Sequence, residues 1–456
     1  MGQFSVKISA PPGSILSATQ HAQVMEMAWP TLGTQMIARA VSGIAAGGLA
    51  TLTFYNLFQV FPLRLRPMAL AIGASLPQLA VPIARMFPVD LVAMDQWLGL
   101  HLVETTMALA AWTMLTIMPL PPTIGEKAFE PLDAVTVSLT IVAMLLICTV
   151  LAVGRYDWWT DTPWLGLALA TAVPLLAIAL FIEDRRARPL LWVRWYAKSD
   201  IVLFSLIALV LRVALTEQSY SAVGLLSLGG LTSDQLHTLF LYVLLAMIAG
   251  IIVAALLASP ERLNHLILAA ALLIALGAWL DTGATSQTRP EQLYFSQALL
   301  GFGTMLFLGP ALLQGLARIR ERGPTYLVSF VVLFSTTQNL GGLAGSALLG
   351  SIQTVRARLH AEDLAENLSL GDPLVIARLQ HEAQLIAPSV IDPTKRSSEA
   401  GALLGQALQN QANVLAFNDT FWVVMWIALA AALLLTAIIL HGRFRAVRAS
   451  LLQVRP

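Results

Sequence analysis

Charge is scarce in this chain: Asp, Glu, Lys and Arg make up only 12% of its 456 residues. A soluble globular protein carries about twice that share, so a water-exposed fold is excluded. The formal net charge of +1 gives no basis for binding nucleic acid. There is one cysteine, Cys148. It cannot close an intrachain disulfide, and its place in an apolar run reads as a small lipid- or core-facing residue. Enzyme signatures are missing as well. The sequence has no phosphate-binding glycine loop followed by Lys-Ser or Lys-Thr, no His-Glu-x-x-His and no Gly-x-Ser-x-Gly elbow. That argues against a primary pump and against an intramembrane metalloprotease. A lipid-modifying transferase would want an acidic or histidine cluster in one outer loop, and Asp157 with Asp161 is too thin a signal. No enzyme activity, cofactor or metal is expected. Nor is a cleavable signal visible, because Lys7 is followed by Pro11, Pro12 and polar residues rather than an apolar stretch.

What the chain has instead is long apolar runs. Hydrophobic residues account for 57% of it, and its mean hydropathy is +0.73. The stretch Ser42 to Phe61, SGIAAGGLATLTFYNLFQVF, is uncharged and long enough to span a bilayer as a helix. Its small residues, Gly43, Ala45, Ala46, Gly47 and Gly48, would let neighbouring helices approach closely. The same plan of apolar helix, short loop and apolar helix recurs at about 37–60, 67–87, 98–119, 132–153, 164–182, 200–216, 235–258, 263–281, 292–316, 325–350 and 415–440. The expected fold is therefore all-α: a polytopic helical membrane protein with about eleven transmembrane helices. A membrane β-barrel would show short alternating segments instead.

Loop charge sets the orientation. One alternate set of loops holds Arg64, Arg66, Lys127, Arg185, Arg186, Arg188, Arg194, Lys198, Arg262, Arg318, Arg320 and Arg322, and the C-terminal tail adds Arg443, Arg445, Arg448 and Arg455. By the positive-inside rule these loops and the C-terminus are cytoplasmic. Trp158, Trp159 and Trp164 around the opposite turn read as interface anchors. The basic run Glu183 to Asp200 reads as a cytoplasmic linker lying near anionic headgroups. Residues about 351–413 form a polar outer loop with a helical pattern, too long for a turn. It reads either as a solvated cap or as a docking surface. A repeat is also visible: a glycine-rich span opened by Gly43 and one opened by Gly301 each end in a basic loop and are followed by a small-residue span. Two bundles repeated in parallel orientation are a common transporter architecture.

Ionisable residues within spans are costly and mark function by default. Arg39 stands at the outer start of its span. His101 and Glu104 are three apart on one helical face, and structural and functional readings of them stand level. Arg212 has apolar residues on both sides and requires an anionic partner or water; it serves either a structural salt bridge or a substrate or proton pathway. Glu217 and Asp281 lie towards the outer ends of their spans, where contact with outer water is the simpler reading. Gln338 and Asn339 are polar and uncharged within a glycine-rich span.

These features together resemble the major facilitator superfamily, in its fourteen-helix drug:proton antiporter branch. ARAVSGIAAGG resembles the fourth-helix motif, with Arg39, Gly43 and Gly47 in place and Ser42 where glutamine is usual. Two extra spans at about 132–182 sit between the bundles, as in that branch. STTQNLGGLAGSALLGSI resembles its glycine-rich thirteenth helix, with Gly341, Gly342 and Gly345 as structural glycines and Gln338 where arginine is frequent. A long outer loop ending QALQNQANVLAFNDTFW precedes the last span. Counted against the family, the first clear span corresponds to the fourth helix, so the resemblance implies an N-terminal bundle reduced by three helices. It divides the chain into a lead (1–35), a partial N-terminal bundle (36–120), two extra helices with a basic linker (121–198), a C-terminal bundle with outer loop 351–413 (199–440) and a basic tail (441–456). It implies proton-driven efflux of small amphiphilic drugs or toxic compounds across a bacterial inner membrane, with a periplasmic adaptor protein on the outer loop. The alternative is a non-transporting remnant or accessory subunit that keeps the docking loop.

Overall fold

The computed structural model describes residues 31–62, 65–88, 98–117, 130–368 and 371–453, with His21, Met25 and Trp29. The lead over 1–35 and the basic-loop residues Arg64 and Lys127 fall largely outside them. Every regular element among the described residues is helical. Outer and cytoplasmic denote the two ends as loop charge assigns them.

Helix α1 (Leu32–Val60) starts at Thr31, whose side chain accepts from the Thr34 amide and so satisfies one of the unpaired groups of the first turn. The span expected at 67–87 is interrupted. It consists of α2 (Arg66–Ser75), a 3-10 turn (Leu76–Leu79) and α3 (Ala80–Arg85). Pro77 lies in the interruption and Pro82 in the first turn of α3, each lacking the amide hydrogen that a continuous helix would need there. There follow α4 (Leu98–Ile117), α5 (Pro131–Val153), α6 (Pro163–Arg185), the short α7 (Val193–Tyr196), α8 (Ser199–Ala214), α9 (Glu217–Leu228), α10 (His237–Leu257), α11 (Leu263–Asp281), α12 (Pro290–Arg322), α13 (Leu327–Glu366), α14 (Pro373–Leu385) and α15 (Pro393–Gln453). Among the described residues nine helical stretches are long and apolar enough to cross a membrane. Helices α1 and α4 occupy the two other anticipated spans. The protein is an all-helical, multi-pass membrane protein.

Its core lies in the C-terminal bundle. Helices α10 and α11 pack along α12, α11 and α13 pack on α15, and α8 packs on α13 and α15. Leu211, Ile274, Leu300, Phe307 and Val424 are buried between them. Close approach replaces the hydrophobic drive that lipid removes: a Cβ on Gly250 of α10 would stand 2.7 Å from the Phe302 carbonyl of α12. Helix α2 joins this bundle through α10 and α12, and α1 packs on α2.

The two extra helices, α5 and α6, pack on each other and are fastened to α13 at both ends. At the outer end the Trp159 indole donates to Ser351 Oγ at 2.7 Å, and Arg358 lies over the Trp158 ring at 5.3 Å. Trp158 takes φ 56° to do so, a left-handed conformation that is strained for a bulky residue. The tryptophans at 158 and 159 are thus protein contacts rather than interface anchors, whereas Trp164 remains exposed. At the cytoplasmic end Arg186 is buried between Asp133, Glu183 and Glu130. The hydrogen bond it donates to Asp133 raises its already high pKa. Glu183 Oε2 also accepts from the Leu190 and Leu191 amides. Next along the chain, the Trp192 amide donates to Ser329 Oγ and the Tyr196 hydroxyl to the Ser329 carbonyl, both at 2.9 Å. Burial pushes the Tyr196 phenol up to about 12, and Trp195 is buried against Tyr326. So the linker docks on the C-terminal bundle, and only Arg185, Arg188, Arg194 and Lys198 remain exposed for headgroups.

The outer loop 351–413 is helical. Helix α13 continues out to Glu366, α14 packs across, and α15 begins at Pro393. At its base Asp419 Oδ2 takes hydrogen bonds from Arg356 and from His360 Nε2, and Gln353 Nε2 donates to Asn413 Oδ1. Leu374, Leu385 and Ile391 are exposed near the tip.

Candidate functional site

The span expected at 200–216 does not end there. After a break at Leu215 and Thr216 the helix resumes as α9 and runs to Leu228. Thr216 Oγ1 bonds back to the Arg212 carbonyl, an alternative to the regular ladder that weakens a helix locally. Because α9 continues outward, Arg212 and Glu217 lie about 20 and 27 Å along this 30-residue stretch, well inside the apolar layer.

Glu217 and Asp281 are consequently buried, at 0% and 2% exposure, and do not meet outer water. Gln297 of α12 joins them. Its Nε2 donates to Glu217 Oε1 at 3.1 Å and to Asp281 Oδ2 at 2.8 Å. Gln218 Nε2 donates to the Gln297 backbone carbonyl at 3.0 Å and so ties α9 to α12 at this level. The second Glu217 oxygen, Oε2, is buried without a hydrogen-bond partner, and no cation pairs with either carboxylate among the described residues. Three helices thus hold two acids on one neutral donor, an arrangement suited to carrying a proton.

One turn further in, α8 lies along the glycine face of α13. A Cβ on Gly345 would stand 2.8 Å from Thr216 Cβ, and a Cβ on Gly341 would stand 2.8 Å from Arg212 Cγ. At Gly342 the added carbon would stand 3.2 Å from Arg212 Nη2. The three glycines form a slot in which Thr216 and Arg212 rest. Arg212 Nε donates to the Gln338 carbonyl at 3.2 Å. Asn339, the next residue, faces away and is exposed.

The remaining candidates form a separate group between α1 and α4. Arg39 Nη1 reaches Glu104 Oε1 at 3.1 Å, and His101 Nδ1 lies 3.9 Å from Glu104 Oε2. Arg39 is over half exposed, so this pair is of the weakly stabilising surface kind. Gly43 and Gly47 sit on the exposed face of α1, with nothing within 4 Å of an added Cβ.

Gln297 was not among the residues that sequence reasoning selected. It is neutral, and nothing in its neighbourhood flags it except a polar residue one turn inside a span. Its role depends on α9, α11 and α12 converging.

No protein-family profile matches the chain. Over 411 residues it is 22% identical to the uncharacterized MFS-type transporter YhcA of Bacillus subtilis (strain 168), a match covering 88% of this chain and 74% of that protein. This similarity supports the major facilitator superfamily. It likewise supports a membrane transporter rather than an enzyme.

Proposed function

We propose that this protein is a proton-driven exporter of small amphiphilic compounds, working by alternating access in the manner of the drug:proton antiporters. The observation that carries this reading is the Glu217–Gln297–Asp281 cluster. Two bare carboxylates in so buried a setting are costly, and one shared proton relieves both their desolvation and their repulsion. Opening the bundle to water on one side would release that proton, and closing it again would favour its return. The cluster therefore couples proton occupancy to the packing of α9 against α11 and α12. The helix break at Thr216 gives α9 a point at which to move.

In this reading the chain lies in a bacterial inner membrane with its C-terminus in the cytoplasm, as the loop charges favour. The helical outer appendage is the docking face for a periplasmic adaptor protein, supported by the exposed Leu374, Leu385 and Ile391 near its tip.

The test is dye movement in proteoliposomes holding the purified 456-residue chain. An imposed proton gradient drives accumulation of an amphiphilic dye, and an uncoupler collapses it. Dye flux indifferent to the uncoupler would refute proton drive, and no flux from correctly inserted protein would refute transport by this chain alone.

A further inference from the structure

We propose that Arg212 and Gln338 bind the anionic group of a small amphiphilic ligand inside the membrane layer. As cargo, that ligand rests on the transport reading above; the binding site itself does not.

The first observation is a cation without a counter-charge. No acidic side chain pairs with Arg212 among the described residues. Glu217, five positions on, lies beyond the helix break and is engaged by Gln297. Arg212 is half-buried, and an arginine at this depth calls for an anion or water at the donors that the Gln338 carbonyl leaves open.

The second observation is independent. Both polar atoms of the Gln338 side chain, Oε1 and Nε2, are buried with no hydrogen-bond partner, although the residue is only 8% exposed. Buried amides are nearly always satisfied, and one left open points to a missing partner. Gln338 stands one turn before Gly341 and Gly342 on the same face of α13, the face that Arg212 lies along.

The third is the way Arg212 is held. Its stem lies on Gly341, its head passes Gly342, and its Nε is fixed on the Gln338 carbonyl. The two terminal nitrogens hydrogen-bond nothing among the described residues. A guanidinium fixed by one edge with its other donors open matches the geometry of a carboxylate or sulfonate. Leu209 and Phe334, each about one turn before the two site residues on the same helix faces, are apolar. They suit an attached hydrocarbon body rather than a bare inorganic ion.

The experiment uses the full chain in nanodiscs and three probes of one shape: 2-naphthoate, 2-naphthamide and 2-naphthylmethylammonium. Binding is read by thermal stabilisation and by tryptophan fluorescence. Naphthoate is expected to bind about tenfold or more tightly than the other two. Arg212→Gln should remove that preference, Arg212→Lys should retain part of it, and Gln338→Leu should weaken naphthoate binding. Equal binding of the three probes overturns the proposal, as does unchanged naphthoate affinity in Arg212→Gln. Acetate or chloride competing as strongly as naphthoate overturns the amphiphile assignment. Should Arg212→Gln fail to yield monodisperse protein, Gly341→Ala replaces it, since the added carbon would stand 2.8 Å from Arg212 Cγ and the stem must shift; unchanged affinity in that variant and in Gln338→Leu overturns the site. Arg212-dependent naphthoate binding without proton-driven flux would sink the transport reading alone. Proton-driven dye flux with no preference for the anion would sink this inference alone.

Discussion

Glu217 and Asp281 share one hydrogen-bond donor, the side-chain amide of Gln297, at 3.1 and 2.8 Å. Glu217→Gln keeps a group of the same shape that cannot carry a proton. The expected outcome is a transporter that still exchanges dye across the membrane at equilibrium but no longer accumulates it against a gradient. Paired exchange and gradient-driven assays in one vesicle preparation check this. Full accumulation in the variant would remove Glu217 from the proton path. Gln297→Leu withdraws the donor that the two carboxylates share and is expected to cost about 1–3 kcal/mol of stability, read as a lower unfolding midpoint.

Thr216 occupies the space beside Gly345, so a methyl group there has nowhere to go. Gly345→Ala is expected to destabilise the purified protein by about 1–3 kcal/mol, as overpacking does. Gly401→Ala is the matched control. Nothing lies within 4 Å of its added carbon, and removing a helical glycine is expected to stabilise by about 0.5–1 kcal/mol. Equal unfolding midpoints for the two variants would contradict the packing described between α8 and α13.

Arg186 pairs with three carboxylates while its side chain is almost fully buried. Its replacement by alanine leaves Asp133 and Glu183 facing each other without a cation, at a cost of about 3–5 kcal/mol. The expected signs are poor yield and faster protease cleavage within residues 186–198. Asp133→Asn in the same background should recover part of the yield, because it lowers the uncompensated charge. No recovery would mean that the cluster is not what holds the linker.

Exchanging residues 367–392, which include α14, for a short Gly-Ser linker leaves the hairpin of α13 and α15 tied by Asp419 and Asn413. Insertion and stability are expected to persist, while crosslinking to a periplasmic adaptor is lost. Undiminished crosslinking would place the docking face elsewhere.

The helices were legible because their signal is additive: a score of apolar residues in a row leaves little choice in lipid. Boundaries were less so. The run that ends on paper at Thr216 continues because α9, with Gln218 and Ser221, satisfies its polar groups against other helices rather than against water. The same blindness misplaced Glu217 and Asp281 at the surface and passed over Gln297. Burial of a polar residue depends on which helices converge, and single-span hydropathy holds no information about convergence. Arg212 stood out because it is charged, and the glycines because they cluster. That the second feature exists to seat the first required the pairing of α8 with α13.

The outer ends of α13 and α15 have a mechanical consequence. Helix α15 runs unbroken from Pro393 through the apolar core to Gln453, and about 30 Å of it projects beyond the span. Cross-tied to α13 at Asp419 and Asn413, it forms a stiff lever whose fulcrum is the bundle itself. A tilt of the bundle by about 10° would swing the tip by about 5 Å. Rearrangement around Glu217 would thus be felt, amplified, by whatever touches the far end.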